Sequence, residues 1–83
     1  MHLALTYSAY LELQALPDRD ACLAIGEAML KLQDNPTPKA AAVVCGDCLF
    51  LDLGPHAILY QIETELNRIV VLGIVNSGWQ TLH

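Results

Sequence analysis

The stretch CGDCLFLDLGPHAILYQIE, residues 45–63, decides how the chain folds. It places two cysteines, two aspartates and a histidine among apolar residues, so it reads either as a reactive centre or as strands joined by turns. Alternation favours strands. Leu49, Leu51 and Leu53 fall on one face of a segment from Cys48 to Leu53, and Ile58, Tyr60 and Ile62 on one face of a segment from His56 to Glu63. Gly46-Asp47 and Gly54-Pro55 are turn signals of the kind that close hairpins. Cys45 and Cys48 then face each other across a two-residue turn.

Working outward, Ala40 to Cys45 is a run of small and β-branched residues that supplies the preceding strand. Thr64-Glu65-Leu66-Asn67 connects to Arg68–Val75, which is apolar on both faces, as an interior strand is. Upstream, Asn35-Pro36-Thr37-Pro38 is the only proline-rich connection, and the period changes there from 2 to 3.6. Before it, Cys22, Ile25, Met29 and Leu32 form one stripe of a helix that begins at Asp18 as N-cap, with Asp20 in the first turn favourable to the helix dipole. Gly26 in mid-helix calls for something packed close against it. A shorter helix, capped by Ser8 and running to about Leu16 before Pro17, is expected to bury Ala9, Leu13 and Leu16. A first strand, His2–Tyr7, places Leu3, Leu5 and Tyr7 on one face. The order predicts an α+β domain in which an N-terminal strand and two helices pack on one face of a four- to five-stranded, mainly antiparallel sheet. The 83 residues leave room for one small domain and one core, 1–83.

Composition narrows the chemistry. Four Lys and Arg (Arg19, Lys31, Lys39, Arg68) stand against nine acids, for a net charge of −5. Phosphate neutralisation needs clustered cations, and these are scattered. Direct nucleic-acid binding and an anionic membrane surface are therefore not expected. The longest apolar run, Ile69 to Val75, is far short of the roughly 20 residues that span a bilayer. The start MHLALTYSAY has neither a basic segment nor a cleavage pattern, and a cytoplasmic protein with reduced thiols is expected.

Each reactive group has a plainer reading beside its chemical one. Cys45 and Cys48 make half of a zinc site, but such a site needs four ligands; a redox pair wants a helix N-terminus to lower a thiol pKa. No cofactor or metal is expected. His56 has no companion nucleophile or carboxylate at a recognisable spacing and reads as a solvent-exposed strand-end residue. Tyr60 reads as a core or rim aromatic with its hydroxyl bonded. Asp52 sits either at a wet edge or against Arg68 across strands, and the pairing is the expectation.

The order of elements resembles the RelE/ParE superfamily of toxin–antitoxin and plasmid-stabilisation proteins over nearly the whole chain. The helical part of that family ends in an Asn-Pro-like break, here Asp34-Asn35-Pro36. Its meander contains a motif of the form Gly-Asp-Tyr-Arg-Ile-Leu-Tyr-Glu-Ile, here Gly54-Pro55-His56-Ala57-Ile58-Leu59-Tyr60-Gln61-Ile62. Ile69-Val70-Val71-Leu72-Gly73-Ile74 is similar to its last core strand. The resemblance implies the fold and a protein partner. It also implies that a ribonuclease member would carry arginines two to four residues before the motif glycine and one inside it, with a His-Arg pair after the last strand. Those places hold Phe50, Asp52, Ala57 and Asn76-Ser77, so RelE-type cleavage is not expected. ParE-like members, which inhibit DNA gyrase, do not depend on those residues.

The sheet face away from the helices cannot be very polar, since it offers Cys48 and Phe50 beside Asp52, and Ala57 and Leu59 beside Gln61. An apolar patch of that kind marks an interaction site. The predicted interface is Cys48, Phe50, Ala57, Leu59 and Trp79, covered by a second copy or an antitoxin-like chain, or else plugged by Trp79 of the chain's own tail. The first reading is a toxin-superfamily protein acting through protein contacts without ribonuclease activity. The second is an active toxin, ParE-like before ribonucleolytic; the third is a metal or thiol-redox protein using Cys45 and Cys48.

Overall fold

A computed structural model describes residues 1–76. The chain runs β1 (His2–Leu5), α1 (Tyr7–Gln14), α2 (Arg19–Asp34), β2 (Ala41–Cys45), β3 (Cys48–Asp52), β4 (His56–Glu63), a 3-10 turn (Thr64–Leu66) and β5 (Arg68–Asn76). The five strands form one sheet in the order β1-β5-β4-β3-β2. All neighbours are antiparallel except β1, which lies parallel to β5 with His2 opposite Arg68 and Leu5 opposite Val71.

Capping decides where β1 ends. Ser8 does not cap α1. Thr6 does: its hydroxyl oxygen accepts the Ala9 N–H at 3.1 Å and donates to the Leu72 carbonyl at 3.2 Å. Because Thr6 N–H also bonds the Val71 carbonyl at 3.0 Å, one residue finishes the ladder with β5 and starts the helix. Tyr7 therefore enters α1 and lies 76% exposed, not on the core face with Leu3 and Leu5. In α2 the Asp18 carboxylate accepts the Asp20 N–H at 2.9 Å, Asp20 lies in the first turn, and Asn35 ends the helix before Pro36. Apart from the backbone of α2 itself and the flanking residues, no atom lies within 4 Å of where a Cβ on Gly26 would stand, so no close approach of another element accounts for that glycine.

Turn chemistry sets the registers. Gly46, at φ +52°, gives the two-residue turn between β2 and β3 the left-handed first position that favours glycine. Cys45 and Cys48 are the paired residues that flank it. Between β4 and β5 the connection is the 3-10 turn followed by Asn67 at φ +50°, a residue type that tolerates the left-handed region. Opposite the Leu59–Tyr60 step of β4, β5 carries one extra residue, Leu72. That bulge lets Val71 and Ile74, three apart, both reach the core.

The core lies between the helices and one sheet face. Ala9 of α1 and Ile25, Met29 and Leu32 of α2 meet Leu49, Leu51, Ile58, Tyr60, Ile69, Val71 and Ile74 in one cluster, with Leu13 and Leu16 packed against it. Burying a large side chain of this kind is worth about 1.5–3 kcal/mol. No described helix is long and apolar enough to cross a membrane.

Candidate functional site

The alternate residues of the same strands build the opposite sheet face. Ladder register sets Asp52 opposite Ala57, Phe50 opposite Leu59, and Cys48 opposite Gln61. It continues into β5 with Ala57 opposite Val75, Gln61 opposite Val70, and Glu63 opposite Arg68. Cys48, Phe50, Leu59 and Val70 are half-buried, with no helix residue in the core cluster reaching their side of the sheet. Ala57 is buried and presents no surface of its own. Trp79, and with it the fold-back of the tail, lies outside the described residues.

Charge on this face is sparse. Arg68 forms an ion pair with Glu63, the residue across the ladder from it. The Asp52–Arg68 pairing does not form. Those two residues lie level with Ala57 and Glu63 respectively, six positions apart along β4 (57 to 63), or about 20 Å at the rise of a strand. The Asp52 carboxylate instead accepts the Gly54 N–H at 2.9 Å, shaping the turn between β3 and β4. Among the described residues the remaining cations sit elsewhere: Arg19 and Lys31 on α2, and Lys39 in the turn before β2. The face is thus apolar in the middle, with Asp52 at one end and a neutralised ion pair at the other.

Asp52, His56 and Tyr60 do not form a constellation. His56 is half-buried at the start of β4 and shares its strand parity with Ile58 and Tyr60, whereas Asp52 belongs to the opposite parity and is exposed. Tyr60 lies fully buried under the helices and donates its hydroxyl to the Pro36 carbonyl at 2.7 Å. Burial pushes its phenol above its ordinary pKa, which keeps it a neutral donor. Cys45 and Cys48 are free thiols, and no group of three or more metal-capable side chains occurs among the described residues.

Two features escaped the sequence pattern. The Glu12 carboxylate accepts the Ile74 N–H at 3.3 Å, serving β5 beyond the point where β1 has ended. On the helix side an open groove of about 540 Å³ runs between α2 and β3, lined by Ala24, Ala28, Leu32, Leu51 and Leu53 among others. The small residues Ala24 and Ala28 beside the main stripe of α2 were the available signal for it.

No protein-family model and no curated protein sequence matches the chain. Solved structures do. The RelBE2 toxin–antitoxin complex of Mycobacterium tuberculosis is 20% identical over 90% of this chain and 95% of that one, with a TM-score of 0.78. The intact RelBE complex of E. coli is 16% identical over 92% and 95%, with a TM-score of 0.81. A YoeB/ParE toxin of Agrobacterium tumefaciens is 15% identical over 92% and 98%, with a TM-score of 0.77. With two helices against a mixed five-stranded sheet in the same arrangement, the chain has the fold of the RelE and YoeB/ParE toxins.

Proposed function

We propose that the chain acts through contact with another polypeptide, as a RelE/ParE-type protein without RelE-type ribonuclease chemistry. The observation that carries this is the content of the open sheet face. Where the resemblance would place arginines, Phe50 and Asp52 stand opposite Leu59 and Ala57, and the one cation of that face, Arg68, is held by Glu63. Stabilising a scissile phosphate needs fixed positive charge or donors aimed at it; an apolar strip with a carboxylate at its end repels phosphate and suits a partner's apolar side chains. Several solved neighbours are complexes of a toxin with an antitoxin, which supports a small antitoxin-like chain as the partner.

Two measurements test the reading. Purified protein added to translating ribosomes leaves mRNA intact, and cleavage of ribosome-bound message overturns the proposal. Co-expression with the product of an adjacent small gene yields a complex that Phe50→Asp weakens tenfold or more. The second reading, an active toxin of ParE type, draws on the similarity to a YoeB/ParE toxin. Growth arrest on induced expression, relieved by the neighbouring gene and accompanied by gyrase inhibition, distinguishes it.

A further inference from the structure

Beyond that face, the sheet has an edge that no described residue covers. β2 is the last strand in the order, with no neighbour outside it among the described residues. Ala42, Val43, Val44 and Cys45 are all exposed, Val43 at 70% and Val44 at 59%. An edge strand offers unpaired N–H and C=O groups as a template, and proteins ordinarily blunt it with charge, proline or a covering segment. Between Lys39 and Asp47 this strand has neither charge nor proline. Its one irregularity, the extra residue Val44 next to the turn, leaves Ala41 to Val43 in regular pairing with β3.

We propose that β2 pairs antiparallel with β2 of a second copy of this chain, joining two five-stranded sheets into one. The charges at the two ends of the strand identify the occupant and its direction. In a two-fold pairing centred on Val43, Val43 faces Val43 and Ala41 faces the second copy's Cys45, which brings Lys39, in the turn before the strand, beside the second copy's Asp47, in the turn after it. Symmetry repeats the last contact at the other end. Lys39 and Asp47 are both exposed, and the ion pair among the described residues is a different one, Arg68–Glu63. Centring the pair on Ala42 keeps the complementarity, because the second copy's Asp47 then lies on the diagonal from Lys39, within reach of a long side chain. A parallel arrangement in the same register would set Lys39 against Lys39 and Asp47 against Asp47, and like charges directly opposite one another are destabilising. The strand is thus complementary to itself in one direction only, and no charge remains over for a foreign strand to read.

Sedimentation velocity of the full chain over a concentration series tests this. Wild type forms a dimer in a concentration-dependent way. Val43→Lys sets two ammonium groups face to face and gives a monomer throughout; since Val43 is exposed in the single chain, circular dichroism remains that of the wild type. Lys39→Asp and Asp47→Lys each replace two attractive contacts by two repulsive ones and raise the dimer dissociation constant about tenfold, the effect of roughly 1.4 kcal/mol. Combining them restores it to near the wild-type value. A wild-type monomer at every concentration overturns the proposal. So does a dimer that survives Val43→Lys but is lost with Phe50→Asp, which would place the contact on the open face. Loss of the dimer with Val43→Lys leaves docking of another polypeptide at Phe50 and Leu59 unaffected, so this inference and the proposed function fail separately.

Discussion

On the helix side of the sheet, Leu49, Leu51, Ile58, Tyr60, Ile69 and Val71 are at most 7% exposed. On the other side, Cys48, Phe50, Leu59 and Val70 from the same strands keep partial contact with water. Side chains of similar hydrophobicity differ in burial because Ala9, Ile25, Met29 and Leu32 cover one face and not the other. Ile58 and Leu59 are chain neighbours separated only by the alternation of a strand. Alternation assigns the side, and the helices decide how deeply that side is buried: one face holds the fold together, and the other meets no described helix.

The largest expected difference comes from truncating that neighbouring pair. Ile58→Ala opens a cavity in the core and is expected to cost about 2–5 kcal/mol in urea denaturation. Leu59→Ala, on the half-buried side, is expected to cost less than about 1 kcal/mol while weakening a partner complex. Equal losses from the two substitutions would break the comparison between the faces. Next in size is Tyr60→Phe, which leaves the Pro36 carbonyl without its donor and is expected to cost about 1–3 kcal/mol, the desolvation penalty of an orphaned acceptor. The pH dependence follows from the sign of the shift. The folded-state pKa of Tyr60 is raised above the unfolded value of about 10, so its contribution is complete below pH ~10 and is lost as pH rises through the folded-state value. Alkaline titration of stability should therefore fall more steeply for wild type than for Tyr60→Phe.

Third is Thr6→Ala, at about 1–2 kcal/mol, since the hydroxyl both caps α1 and binds the Leu72 carbonyl. This residue also marks where the sequence was legible and where it was not. Alternation and turn residues mark out β2, β3, β4 and β5 nearly to the residue, because Gly46 and Gly54 punctuate them and the apolar parity runs unbroken through β3 and β4. At the N-terminus Thr6 and Ser8 are chemically equivalent cap candidates. The choice between them rests on the carbonyls of Val71 and Leu72, more than sixty residues away, which local sequence does not contain. For the same reason local sequence does not show that Asp52 and Arg68 stand apart. Both residues share the open face, but their separation along β4 depends on the register of two hairpins, and the Gly54 N–H two residues on supplies Asp52 with a local partner. The open face was legible as composition, in Phe50, Leu59 and Asp52, whereas the groove between α2 and β3 depends on how far α2 reaches across the sheet, which no periodicity encodes.

The smallest effect is the most specific test of how charge is arranged on the open face. Arg68 and Glu63 lie across one ladder position, 43% and 29% exposed at the side chain, so solvent screens them and a double-mutant cycle is expected to show coupling of about 0.2–1 kcal/mol. The parallel cycle between Asp52 and Arg68 is expected to be additive to within about 0.3–0.5 kcal/mol, because a separation of some 20 Å exceeds the Debye length of about 8 Å at physiological salt. Asp52→Ala by itself removes the acceptor for Gly54 N–H and is expected to cost about 0.5–1.5 kcal/mol, whereas Asp52→Asn keeps a carbonyl oxygen there and costs less. Measurable coupling between Asp52 and Arg68 would mean that the two ends of the face approach each other, drawing a cation toward the apolar strip. The distinction between a face that attracts polypeptide and one that attracts phosphate would then weaken, and the case for RNA binding would reopen at Arg68.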